Sequence, residues 1–266
     1  MSTLVVSSVL WALAPTACAK PSARPAQSTP AASLRFKVVR TFPHDPRAFT
    51  QGLLFFEGKF YESTGLYGRS SLRRVDPDSG VVERAVDLPA SLFGEGVARV
   101  GGRLVQLTWQ NKRALVWNLA TLSKEREISY QGEGWGLCFD GRHLIMSDGS
   151  ATLVLRDPEG FAKVSEVVVR RAGQPLRNLN ELECVEGMVY ANVWQDSHIA
   201  RIDARTGDVT GWIDASGLLA PEEARVADVL NGIAYLPATG HLVVTGKLWP
   251  RIFEVEIVPA VPPTAK

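Results

Sequence analysis

The chain has 266 residues, 45% hydrophobic and 21% charged, enough apolar material for a sizeable core. Its 29 Lys and Arg against 28 Asp and Glu leave a formal net charge of +1, which excludes a broad cationic field for nucleic acid or an anionic membrane. Beyond the first residues no uninterrupted apolar run approaches the ~20 residues of a membrane-spanning helix.

At the N-terminus, the apolar stretch from Leu4 to Thr16 ends in Pro15-Thr16-Ala17-Cys18-Ala19, small residues typical of an export cleavage site. Residues 1–19 are therefore read as a signal peptide or lipoprotein leader, and the protein is expected in the periplasm or secreted. Cys18 is the candidate for a lipid anchor, although Pro15 departs from the usual attachment box. Residues 20–34, rich in Pro, Ala and Ser, read as a linker, 35–260 as one catalytic domain and 261–266 as a tail.

The domain is repetitive. Gln51-Gly52-Leu53, Glu95-Gly96-Val97, Trp135-Gly136-Leu137, Asn180-Glu181-Leu182 and Asn231-Gly232-Ile233 each open a short β-rich run, at intervals of 44, 40, 45 and 51 residues. A turn signal and a second run follow each: Glu57-Gly58, Gly101-Gly102, Asp140-Gly141, Glu186-Gly187 and Thr239-Gly240, which read as hairpins. Later turns such as Asp76-Pro77-Asp78-Ser79-Gly80 and Asp203-Ala204-Arg205-Thr206-Gly207 precede further strands. Helical periodicity is confined to a turn or two near Pro221–Val229. Five units of four antiparallel strands predict an all-β fold, a five-bladed β-propeller. The fifth unit stops near Val258, one strand short, and Phe36–Thr41 is expected to pair there and close the ring.

In a hairpin the start of the first strand lies beside the end of the second, so each unit offers two positions to one mouth. Fourteen residues on from Gln51, Glu95, Trp135 and Asn180 stand Gly65, Trp109, Gly149 and Trp194; Asn231 pairs with Lys247 at sixteen, the turn containing Pro237 absorbing two residues. Strand alternation adds Phe49 and Phe93 on the same side. One carboxylate, one amine, three carboxamides and several aromatic rings at one mouth describe a ligand cup rather than a water channel.

Phe49-Thr50-Gln51-Gly52-Leu53, Phe93-Gly94-Glu95-Gly96, Leu107-Thr108-Trp109-Gln110, Gly134-Trp135-Gly136-Leu137, Asn178-Leu179-Asn180-Glu181-Leu182-Glu183, Asn192-Val193-Trp194 and Thr245-Gly246-Lys247-Leu248-Trp249 together resemble the plant- and bacterial-type glutaminyl cyclases, over roughly Phe42 to Glu256. The resemblance implies a five-bladed propeller that closes N-terminal glutamine of peptides to pyroglutamate and releases ammonia, with no metal or other cofactor. It implies Glu95 as proton shuttle, Lys247 and Asn180 as polar groups around the reacting amide, Gln51 as a substrate holder, and Phe49, Phe93, Trp109, Trp135 and Trp194 as the aromatic wall. The expected partners are peptides and proteins that begin with glutamine, met by a monomer. The extra cysteines of plant members are absent.

Two other functions fit the repeats. A lactonase-like propeller hydrolase would use Glu95, Asn180 and Asn231 to hold Ca²⁺ or a similar cation; a non-catalytic propeller would display its rim to a protein. Cys138 and Cys184, inside apolar runs, are read as structural, with a bridge between them left open. Trp117 and Trp212 are assigned to packing between strands, Trp249 and His198 to loop packing, and His44-Asp45 to a loop cap.

Overall fold

A computed structural model describes residues 30–260. The leader with Cys18, most of the linker and the tail lie outside the described residues. Strands follow the turn signals closely: β1 (Ala32–Pro43); β2 (Thr50–Phe56), β3 (Lys59–Thr64), β4 (Ser71–Val75) and β5 (Val82–Asp87); β6 (Gly94–Val100), β7 (Arg103–Thr108), β8 (Arg113–Asn118) and β9 (Lys124–Ser129); β10 (Leu137–Phe139), β11 (Leu144–Met146), β12 (Thr152–Arg156) and β13 (Lys163–Val168). The short pair β14 (Arg170–Arg171) and β15 (Gln174–Pro175) leads to β16 (Leu179–Val185), β17 (Met188–Val193), β18 (His198–Asp203) and β19 (Val209–Asp214). After α1 (Pro221–Ala224) come β20 (Leu230–Leu236), β21 (His241–Gly246) and β22 (Arg251–Pro259). The helix falls where a helical turn is expected, with Pro221 at its start and Glu223 accepting the Ala220 N–H at 3.1 Å.

The fold is all-β, built of four-stranded antiparallel sheets. Three stand alone, β2–β5, β6–β9 and β10–β13, each in chain order. Apart from the separate pair β14–β15, the remaining strands form one eight-stranded sheet ordered β16-β17-β18-β19-β1-β22-β21-β20, where separate units were expected. β1 causes the fusion. Its Phe36–Thr41 run pairs antiparallel with β22, as expected, but Ala32–Arg35 also pairs parallel with Gly211–Asp214 of β19. Three residues assigned to the linker, Ala32 to Leu34, are therefore strand. Their small-residue composition suggests a linker, but a distant edge supplies the hydrogen bonds that composition cannot reveal.

Within each four-stranded sheet the first two strands are mostly buried and the last is mostly exposed, as β6 and β7 are against β9. The first strands β2, β6, β10, β16 and β20 touch one another in a closed cycle. Glycine after the opening residue permits this approach. A Cβ on Gly52 would stand 2.6 Å from Val97 N, and one on Gly136 would overlap the Asn180 carbonyl. In the fourth unit Glu181 replaces that glycine. Its buried carboxylate reaches across the cycle, accepting N–H bonds from Leu53 of β2 at 3.2 Å and Ile233 of β20 at 2.8 Å. Cys138 of β10 and Cys184 of β16 are joined in a disulfide, which ties two neighbouring first strands together.

Candidate active site

Each opening residue sits in a β-bulge. Thr50 pairs with Thr64 and Gly52 with Ser63, so Gln51 is the extra residue; Glu95-Gly96, Asn180-Glu181 and Asn231-Gly232 stand likewise against Leu107, Asn192 and Thr245. In the third unit Trp135 and Gly136 share one partner, Ser147, whose C=O accepts from Trp135 and whose N–H donates to Gly136. A bulge breaks the alternation of the ladder and re-aims one side chain. Here it turns the opening residues toward the common axis.

The far side of the mouth is set by one recurring bond. The N–H of Gly65, Trp109, Trp194 and Lys247 donates to the C=O of Phe49, Phe93, Asn178 and Val229, each two residues before an opening position. Lys247 thus occupies the same register as Trp109 and Trp194 despite its sixteen-residue spacing. The two surplus residues lie in the longer turn between Leu236 and His241. Glycine at the other two positions makes room for rings. A Cβ at Gly65 would overlap Phe93, and one at Gly149 would stand 2.7 Å from Trp135.

One cavity of about 440 Å³ is lined by all nine expected residues, Phe49, Gln51, Phe93, Glu95, Trp109, Trp135, Asn180, Trp194 and Lys247. Its aromatic wall is a chain of edge-to-face rings: Phe49 on Phe93 at 6.2 Å, Phe93 on Trp109 at 5.6 Å and Trp135 on Trp194 at 5.7 Å. Lys247 Nζ lies 4.8 Å over the Phe49 ring. Glu95 is only 4% exposed, at the floor of the cup and not at an open mouth as expected, because the rings stand above it. Its Oε1 accepts from Gln51 Nε2 at 3.0 Å, and Gln51 Oε1 accepts from Asn231 Nδ2 at 3.2 Å. Asn180 Oδ1 is buried and has no hydrogen-bond partner among the described residues.

The glutamine cyclotransferase family model matches residues 9–257. A glutaminyl-peptide cyclotransferase of Arabidopsis thaliana is 43% identical over 226 residues, which span 83% of this chain and 71% of its own. The chain belongs to the glutamine cyclotransferase family. The solved glutaminyl cyclase of Myxococcus xanthus superposes with a TM-score of 0.79 at 41% identity, covering 87% of this chain and 100% of that one.

The electrostatics of the cyclotransferase cup follow from burial. Burial raises the Glu95 carboxyl well above the usual range; Lys247 opposes this and Glu133 adds to it. Burial lowers the Lys247 ammonium, against the pull of Glu95 and Asp228. Both members of the pair are thus drawn toward their neutral forms.

Several residues differ from expectation. Asn231 does not line the cup; it is buried behind Gln51, its Nδ2 also bonded to Thr50 O at 2.9 Å, which removes it from the cation site of the lactonase-like alternative. His44 is not a loop cap. It is buried, with Nε2 2.9 Å from Glu62 Oε1 and Nδ1 2.6 Å from Trp249 O, while Glu62 also accepts from Thr50 Oγ1 at 2.7 Å. Asp45 does cap, accepting the Arg47 N–H at 3.0 Å. Glu133 is not among the expected residues, yet its Oε2 accepts from both Trp109 Nε1 at 2.8 Å and Trp135 Nε1 at 3.2 Å, and its Oε1 from Gln110 Nε2 at 3.0 Å. Glu133 stands two residues before an opening position, as do Phe49, Phe93 and Val229, so the alternation that selects the phenylalanines also points to it. Trp117 lies in the core, Trp249 packs under a loop, and Trp212 is stacked between His198 and Arg171.

Proposed function

We propose that the cup of this glutaminyl-peptide cyclotransferase binds the N-terminal glutamine of a peptide or protein and that Glu95 moves the proton between its two nitrogens. The α-amine attacks the γ-carboxamide carbon; a new C–N bond closes the five-membered ring, and the bond to the amide nitrogen breaks to release ammonia. The amine must shed a proton and the leaving nitrogen must gain one. A single carboxylate does both, and the observation that carries this reading is that Glu95, held by Gln51, is the carboxylate buried at the floor of the cup. Its raised pKa brings its basicity nearer to that of the amine, which favours transfer in both directions. Lys247 or Asn180 stabilises the oxyanion on the γ-carbonyl, an effect of roughly 3–4 kcal/mol for a well-placed donor. Trp109, Trp135, Trp194, Phe49 and Phe93 hold the side chain bent toward its own amine, where correct orientation is worth up to ~7–11 kcal/mol.

Around this site, residues 35–260 are read as a five-bladed propeller acting as a monomer. The cycle of five first strands supports it, with β1 serving as the outermost strand of the last blade. Export is supported by the Cys138–Cys184 disulfide, a bond typical of oxidising compartments, and by the leader pattern; among the described residues no helix is long and apolar enough to cross a membrane.

Glu95→Gln tests the assignment. It keeps size and a hydrogen bond to Gln51 but cannot take the ammonium proton, so kcat for ammonia release from a glutaminyl peptide is expected to fall at least ~10²-fold with the circular dichroism spectrum unchanged. A folded variant with near-normal turnover would remove Glu95 from the mechanism.

A further inference from the structure

The cup takes one residue, so the peptide that follows the glutamine must leave over its rim. Two neighbouring cavities share lining residues with the cup. One, of about 240 Å³, lies across Phe49 and Leu66 and is lined by Arg47, Arg69 and Arg73. Phe49 forms a partition there, its ring braced edge-to-face by Phe93 and covered by Lys247. The other, of about 440 Å³, shares Gln195, Asp228 and Val229 with the cup. Gln195 and Asp228 are exposed, so this boundary is an open lip.

The connection that walls the second cavity is longer than the fold requires. Six residues, 88–93, suffice to pass from β5 to β6 and seven, 130–136, from β9 to β10, whereas fifteen, 215–229, link β19 to β20. This surplus accounts for the 51-residue interval in the sequence. Its end is pinned to the catalytic strand: Asp228 N–H donates to Lys247 O at 2.9 Å, and Trp249 Nε1 donates to Asp228 O at 2.9 Å. Leu218, Leu219 and Ala227 line the groove, with Trp249 beneath them. Among the described residues, the charged side chains that line it are Asp228, at the lip, and Asp196.

We infer that this groove is a subsite for the residues immediately after the N-terminal glutamine and that it selects uncharged, apolar side chains there. The inference rests on the cyclase reading of the cup. An extended chain advances about 3.3 Å per residue, so side chains two and three are the ones that meet the lip and the groove. Asp228 repels an acidic residue at the lip, and the leucines offer apolar surface to a side chain that enters.

The test compares glutaminamide, which cannot reach the groove, with C-terminally amidated Gln-Ala-Ala, Gln-Leu-Leu and Gln-Asp-Asp. The leucine peptide should exceed the alanine peptide about tenfold in kcat/KM, mainly through KM, as expected when a large aliphatic side chain is buried. The aspartate peptide should be poorest. Leu219→Asp, and the milder Leu219→Ala, should erase or reduce the leucine advantage while leaving glutaminamide turnover at the wild-type value, which also reports that the variants fold. Equal kcat/KM for the alanine and leucine peptides, or an advantage that survives Leu219→Asp, would overturn the subsite; preference for the aspartate peptide would do so too, by moving the exit to the arginine-lined cavity. Failure to release ammonia from glutaminamide would overturn the cyclase reading instead, and the same peptide series measured by calorimetry as binding would still decide the subsite.

Discussion

One oxygen of Glu133 holds two indoles, so this half-buried carboxylate fixes the spacing of Trp109 and Trp135 across the cup. Glu133→Ala removes a charged acceptor from both, and hydrogen bonds of that kind are worth about 1.5–3 kcal/mol each. KM for a glutaminyl peptide is expected to rise about tenfold or more, with a smaller fall in kcat, because loosened rings bind the bent substrate less well. Glu133→Gln separates geometry from charge. It keeps an acceptor oxygen but loses the charge that helps to hold Glu95 up, so ionising Glu95 becomes easier and the acid limb of kcat/KM moves to lower pH. Lys247→Met removes the opposing cation and should move the same limb upward. A pH profile of kcat/KM for the two variants checks both signs, and limbs that coincide with wild type would show that neither charge reaches Glu95.

At the level of elements, the bulge and the glycine after it act together. The bulge aims one residue per first strand at the axis, and the glycine lets the next strand come close enough for the aimed residues to share one cup. The left-handed backbone of Leu66, Gln195 and Leu248, each directly after a far-side mouth position, belongs to the same design. Non-glycine residues there carry a conformational cost that clusters at functional sites. The Cys138–Cys184 bridge holds two of the converging strands, across a sequence separation of 46 residues. Reduction, or Cys184→Ser, is expected to lower stability by about 2–4 kcal/mol in urea titrations. An unchanged midpoint would mean that backbone contacts alone secure the β10–β16 junction.

For the whole molecule, the buried Glu181 and the half-buried Glu183 tie stability to pH. Burial raises Glu181 well above the usual carboxyl range near 4.5, with help from Glu183 and against the N–H bonds from Leu53 and Ile233. Burial also pushes Glu183 up to about 8, against N–H bonds from Tyr235 and Cys184. Because their folded values exceed the unfolded ones, folding takes up protons between those values, and the stability so gained is lost as pH rises through them. His44 adds to this trend. Burial pulls its imidazolium down, but the Glu62 carboxylate, the Trp249 carbonyl and Asp45 together outweigh burial and raise it, so this contribution also fades as pH rises through the folded value. Thermal midpoints are therefore expected to decline from about pH 5 to about pH 9, and Glu183→Gln should flatten the decline. A flat wild-type profile would argue that these acids are solvated.

The repeat, the hairpin turns, the opening residues and the nine side chains of the cup are all legible in the chain, because each depends on spacing within one hairpin, and hairpin geometry converts spacing directly into position. The motifs around Glu95, Trp135 and Lys247 add the family. What spacing cannot convey is contact between distant elements. The partnership of β1 with β19, the disulfide and the reach of Glu181 across the axis each join residues dozens of positions or more apart. Likewise only the tertiary structure could place His44 on Glu62, Asn231 behind Gln51 and Glu95 at the floor of the cup. Burial is decided by what neighbouring sheets bring to a side chain, and one strand's pattern does not contain its neighbours.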